Sequence, residues 1–167
     1  IANRLGYFDD AEFLLEKAVE FKPDDGDLRL KYTSILRKKQ KFSKTMEQVN
    51  ILCDQFPDNQ LYQAHKASEI MQNGGHEEAI TILDDILKRN PYNFSSLTSK
   101  GHAQKTLGKT DQAIESYQSA YKVRQDHGEA FFSLANLKTY SFNKEELNNM
   151  RYQVERLDLS LQDKAYF

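Results

Sequence analysis

The sequence predicts an all-α chain of stacked antiparallel helix hairpins, and three observations carry that prediction. The three prolines, Pro23, Pro57 and Pro91, stand 34 residues apart, and a fixed period of that size marks a helical repeat array. The stretch from Phe94 to His127 reads as two helices, SSLTSKGHAQKTLG and TDQAIESYQSAYKVR, joined by a tight turn at Gly108. Small residues recur at matching places wherever the two helices must touch, on the i, i+4, i+7 spacing of one helical face.

With a proline near the end of each unit, the chain reads as a partial unit at 1–25, then units 26–59, 60–93 and 94–127, and an imperfect one from Gly128. The array thus spans 1–142. In the first helix of each unit the small contact position holds Thr33, Ala67, Gly101 and Ala135. Early in the second helix stand Ala11, Thr45, Ala79 and Ala113, one turn on Leu15, Val49, Leu83 and Tyr117, and then Ala18, Leu52, Ile86 and Ala120. The turns carry Gly6, Gly74 with Gly75, and Gly108, as expected where a helix ends in a left-handed residue. The unit at 26–59 has Lys39-Gln40 there and is the least regular.

After Tyr140 the pattern changes. Asn143 followed three residues on by Glu146 predicts a capping box and a new helix. Leu147, Met150, Val154 and Leu157 form an apolar stripe by which that helix is expected to dock on the last hairpin and cap the array. Ser160 with Asp163 opens a further helix that the sequence cuts at Phe167, so residues 143–167 read as a cap and a truncated start. Ile1 falls in mid-unit, and the chain is expected to be a piece of a longer one.

Composition excludes several functions. Among 167 residues, 23 lysines and arginines face 25 acids for a net charge of −2, too balanced for the long-range field of a dedicated nucleic-acid or acidic-membrane binder. No apolar run is long enough to span a membrane, and IANRLGYF lacks the regions of a signal peptide. The single cysteine, Cys53, cannot form an internal disulfide and fits a reducing, cytoplasmic setting. Beside the packing residue Leu52 it reads as a part-buried, inert thiol. Of the four histidines only His65 has a possible ligand at i+4, Glu69, which is too little for a metal site. The basic run Arg37-Lys38-Lys39-Gln40-Lys41, with Lys44, could touch phosphates, but reads better as a solvated helix end facing a negative helix C-terminus.

The 34-residue period, the small residue in the first helix, Leu107-Gly108 at the turn, Ala79-Ile80 and Ala113-Ile114, and the recurring proline resemble the tetratricopeptide repeat family. The family's large aromatic early in the first helix is replaced by Arg29, Gln63 and Leu97, and kept only at Phe131, so the middle hairpins should pack less firmly. The resemblance implies a right-handed superhelix whose first helices line a concave, peptide-binding groove. It places Arg37, Lys38, His65, Ser68, His102, Lys105, Phe132, Asn136 and Tyr140 in that groove. A carboxylate clamp is excluded, because its lysine, asparagine and arginine positions fall on residues such as Leu30, Ser34, His65 and Ser99. Phe132, Asn136 and Tyr140, at spacings of four, would form one helical stripe holding an extended peptide opposite His102 and Lys105. The alternative is that Phe132 and Tyr140 pack beneath the following helix.

A narrower resemblance covers Ser133 to Lys164. The run SLANLKTY, the helix to Leu157, Asp158-Leu159-Ser160 and Asp163-Lys164 are similar to the junction in bacterial tetratricopeptide proteins that carry a sulfotransferase half. That resemblance implies a PAPS-using domain downstream. No catalytic or cofactor residue of such a domain falls within these residues. The readings are therefore a protein-binding scaffold, an accessory region docking on its own catalytic half, or, less favoured, a nucleic-acid binder through residues 37–44.

Overall fold

A computed structural model describes residues 7–167, the side chain of Gln162 excepted; Gly6, expected at a turn, lies outside them. The described residues form ten helices and no strand: α1 Phe8–Phe21, α2 Gly26–Lys38, α3 Phe42–Gln55, α4 Gln60–Gln72, α5 His76–Arg89, α6 Phe94–Thr106, α7 Thr110–Val123, α8 Gly128–Ala135, α9 Lys144–Glu155 and α10 Leu161–Tyr166. Helices α2, α4, α6 and α8 open 34 residues apart, and so do α1, α3, α5, α7 and α9. The chain divides into two compact units, one ending at Gly75 and one running from His76 to Phe167.

The period is written in the caps. Asp25, Asn59 and Asn93 are the N-caps of α2, α4 and α6, their side chains accepting from the backbone N–H of Leu28, of Leu61 and Tyr62, and of Ser96. Each satisfies an amide that the first turn leaves unpaired. His127, at the same place before α8, does not cap; its Nε2 lies 2.9 Å from Thr98 Oγ1 on α6. The turns between paired helices are left-handed at Gln40, Gly74 and Gly108, with φ of 57°, 88° and 74°.

In the first unit α1, α2, α3 and α4 pack each on the next. Val19, Tyr32 and Leu36 form one buried cluster and Val49, Leu52, Cys53 and Tyr62 another. Each fully buried aliphatic side chain contributes about 1.5–3 kcal/mol. The contact residues Thr33, Thr45 and Ala67 are buried as the repeat register requires. Arg29, where the family keeps an aromatic, is also buried, because its guanidinium donates to Gln48 Oε1 at 2.5 Å and to the Pro23 carbonyl at 2.8 Å. The basic run stays partly exposed, but it is ion-paired as well. Lys39 pairs with Asp9 and Glu12, Lys41 with Glu12 at 2.6 Å and Lys44 with Glu16 at 2.7 Å, so the acids of α1 neutralise it.

In the second unit α5 packs on α6, α6 on α7, α7 on α8, and α8 on α10. Ala79, Leu83, Ile86, Ala113, Tyr117 and Ala120 line the buried side of the second helices. Phe131 is fully buried and stacked on Tyr121, ring centroids 4.6 Å apart. Three expectations fail here. Helix α8 stops at Ala135, which is exposed rather than a contact residue, and Lys138 turns the chain at φ 60°. That turn lets Tyr140 and Phe142 fold back on the cluster of Ala113, Tyr117 and Leu134. Helix α9 has its capping box, but not the expected docking face. Its buried residues are Glu146 and Gln153, while Leu147, Val154 and Leu157 of the apolar stripe are exposed.

Candidate functional site

In the first unit the relevant face is that of α2 and α4. His65 Nε2 lies 3.0 Å from Thr33 Oγ1 and 3.7 Å from Glu69 Oε1, and Arg37 donates to the same carboxylate oxygen at 3.0 Å. Glu69 is 1% exposed. Burial lowers the His65 imidazole to about 4, and the nearby Arg37 charge pushes the same way. Burial also raises the Glu69 carboxyl, with Arg37 countering in part. Arg37 and His65 thus meet through the Glu69 carboxylate, which the sequence offers only as a possible metal ligand at i+4 from His65. Ser68, one turn beyond His65, is half-buried. Lys38 points elsewhere, its ammonium 5.6 Å from the Phe8 ring centroid.

In the second unit the equivalent face belongs to α6 and α8. His102 Nδ1 lies 2.9 Å from the Tyr117 hydroxyl, and its Nε2 lies 3.3 Å from Glu129 Oε1. Burial pushes the Tyr117 phenol up to about 12, a hydrogen bond with Ser133 opposing it. The hydrogen bond with His102 holds the Glu129 carboxyl below its ordinary value. Lys105 is exposed one turn further along α6. Glu129, which opens α8, stands beside His102 on this face and lies outside the expected groove set. Its separation of 27 residues from His102 carries no local signal.

The expected stripe of Phe132, Asn136 and Tyr140 is not formed. Phe132 is half-exposed on α8 and packs against Tyr166 at 5.3 Å between centroids. Asn136 is the exposed C-cap. Tyr140 lies beyond the helix end, where its hydroxyl donates to Glu146 at 2.5 Å and accepts from Gln118 at 2.9 Å. It belongs with α7 and α9, not with His102. Helix α8 would have to run five residues further, to Tyr140, to keep the three in line.

Other candidates find ordinary structural roles. Cys53 is buried 3.5 Å from the Tyr62 carbonyl, and burial pushes its thiol up, away from nucleophilic reactivity. Among the described residues no three His, Cys, Asp or Glu side chains converge as metal ligands. No described helix is long and apolar enough to cross a membrane. Phosphate binding at residues 37–44 would have to displace the ion pairs with α1.

The tetratricopeptide repeat model matches residues 94–127. Among solved structures, MamA from Desulfovibrio magneticus RS-1, from its residue 41 to the end, is 13% identical with a TM-score of 0.68, covering 92% of this chain and 88% of its own. MamA of AMB-1 is 23% identical with a TM-score of 0.66, covering 92% of each chain. A further MamA crystal structure is 16% identical with a TM-score of 0.72, covering 92% of this chain and 91% of its own. These likenesses show the fold, a tetratricopeptide-like helical array. No curated protein sequence matches the chain. None of these matches shows a sulfotransferase junction.

Proposed function

We propose that the chain is a protein-interaction scaffold that holds an extended segment of a partner against the first helices of its hairpins. The observation that carries this reading is the buried Glu69 carboxylate, paired with Arg37 and next to His65, on the face of α2 and α4. Burying the Glu69 carboxylate against a half-buried Arg37 costs desolvation that the attraction only offsets, so stability alone gives no strong preference for an ion pair at that place. The arrangement instead presets Arg37, His65 and Ser68 to meet polar groups of a ligand. On α6 and α8 the half-exposed His102 and Glu129 and the exposed Lys105 offer both signs of charge, which suits a polar extended segment better than an apolar helix. Phe132 and Asn136 stay on offer to such a segment, and Tyr140 is withdrawn from it.

Two finer readings rest on sequence alone. Attachment to a PAPS-dependent sulfotransferase half rests on the resemblance at 133–164, and a phosphosulfate-binding loop encoded further along the reading frame is its test. A cytoplasmic site of action rests on the single cysteine.

The scaffold reading is tested by selecting random peptides on the protein and remaking them with a benzophenone side chain for photo-crosslinking. Adducts on Ser68, Met71, His102 or Lys105 support it. Adducts confined to outward positions of the second helices, such as Glu47, Thr81 and Glu115, contradict it.

A further inference from the structure

Helix α9 meets α7 through its polar side. Glu146 and Gln153 are the buried residues of α9, at 5% and 3% exposure, while Val154 and Leu157 are 46% and 97% exposed. The bonds between the two helices are polar as well. The Tyr121 hydroxyl donates to Glu146 Oε1 at 2.5 Å, and Asn149 Nδ2 donates to the Gln125 carbonyl, just past the end of α7, at 3.4 Å. Two helices that touch through long polar side chains do not close. A cleft of about 410 Å³ lies between them, within the size range of ligand sites.

Carboxamides supply half of its lining, Gln118 and Gln125 on one side and Asn143 and Asn149 on the other, and Tyr121, Lys122, Glu145 and Glu146 supply the rest. Their hydrogen bonds are only partly used. Gln118 Nε2 donates to Tyr140, Asn143 Oδ1 accepts the capping bond from the Glu146 amide, and Asn149 Oδ1 accepts from Gln153. Among the described residues Gln118 Oε1, Asn143 Nδ2 and the whole Gln125 carboxamide have no partner.

We infer that this cleft is a second peptide site, distinct from the first-helix face, that takes an extended segment by its main chain. A carboxamide presents an acceptor and a donor side by side without charge, matching the C=O and N–H of an extended backbone. Saccharide is the poorer fit. The lining's one aromatic ring, Tyr121, is stacked on Phe131 and its hydroxyl is committed to Glu146, so it offers no free platform for a sugar face.

The test selects random nonapeptides by display on the full chain and titrates them into isotope-labelled protein. One class should shift the side-chain amide signals of Gln118, Gln125 and Asn143 saturably. Its affinity should fall by about tenfold or more, the scale of one lost hydrogen bond, in Gln125→Leu, in Asn143→Ser and on N-methylation of the peptide backbone. Serine retains the N-cap, so Asn143→Ser should melt as the parent does. Ser68→Arg should leave this class bound, which separates the cleft from the first-helix face. The inference is overturned if no selected peptide moves those signals, if the N-methylated peptide binds equally well, or if neutral oligosaccharides move them instead.

Discussion

Gly101 on α6 sits so close to Tyr117 on α7 that a Cβ added there would lie 2.5 Å from the ring. The ring cannot give way easily, since Tyr117 is fully buried and its hydroxyl meets His102 Nδ1 at 2.9 Å. Packing and candidate site are joined at this point: the missing side chain at 101 seats the ring that orients His102.

Gly101→Ala should therefore destabilise the protein. Helix propensity alone favours alanine by roughly 0.5–1 kcal/mol, but overpacking a fixed ring costs about 1–3 kcal/mol, and the second effect wins. A thermal melt checks the sign. A raised midpoint would show that α6 and α7 have room to separate.

Gln40 holds a left-handed backbone at φ 57° in the turn where the other hairpins have Gly74 and Gly108. The conformation costs a residue with a side chain about 1–2 kcal/mol, and glycine's greater freedom in the unfolded chain takes back part of that gain. Gln40→Gly should thus stabilise by roughly 0.5–1 kcal/mol, while Gly108→Ala should destabilise. Denaturant midpoints for the two variants that move in the same direction contradict this account of the turns.

Acid should weaken the fold through His65. Its folded value is lowered from 6.5 to about 4, so between those limits the unfolded chain takes up a proton that the folded one refuses. The neutral imidazole's contribution is complete above pH 6.5 and fades as pH falls toward 4. It amounts to at most about 3 kcal/mol. The raised Glu69 carboxyl opposes this slope, and the lowered His127, also buried, adds to it. The melting temperature should drop on acidification across that window, and drop less in His65→Gln. Equal slopes in parent and variant would place the acid sensitivity elsewhere.

The fold was legible because its signal is periodic. Prolines at one spacing and small residues at matching places specify hairpins whatever the intervening surface. The caps at Asp25, Asn59 and Asn93 carry the same period, two residues after each proline. The site was less legible, for two physical reasons. Long-range polar pairs such as Arg37 with Glu69 and His102 with Glu129 leave no trace in local pattern. The end of α8 is hidden because the helical spacing of Phe132, Asn136 and Tyr140 persists in sequence after the helix has stopped. The chain instead turns at Lys138 and packs Tyr140 and Phe142 back on the cluster of Ala113, Tyr117 and Leu134, a tertiary effect. The same holds for Lys39, whose exposed-looking run conceals ion pairs to Asp9 and Glu12, about 30 residues earlier.

The central claim is that a partner segment lies on the first helices, and relative affinity tests it most directly. Peptides selected on the parent protein that still bind Gln125→Leu should be measured by fluorescence anisotropy against two pairs of variants. Ser68→Arg and Lys105→Glu alter the first-helix face, and Glu47→Lys and Glu115→Lys alter exposed positions of α3 and α7. The account predicts that for each peptide one or other of the first pair weakens binding by about tenfold or more, as loss of a contact or a new clash would, with the second pair near the parent value. Unchanged affinity in both Ser68→Arg and Lys105→Glu, with loss in Glu47→Lys or Glu115→Lys, would contradict it.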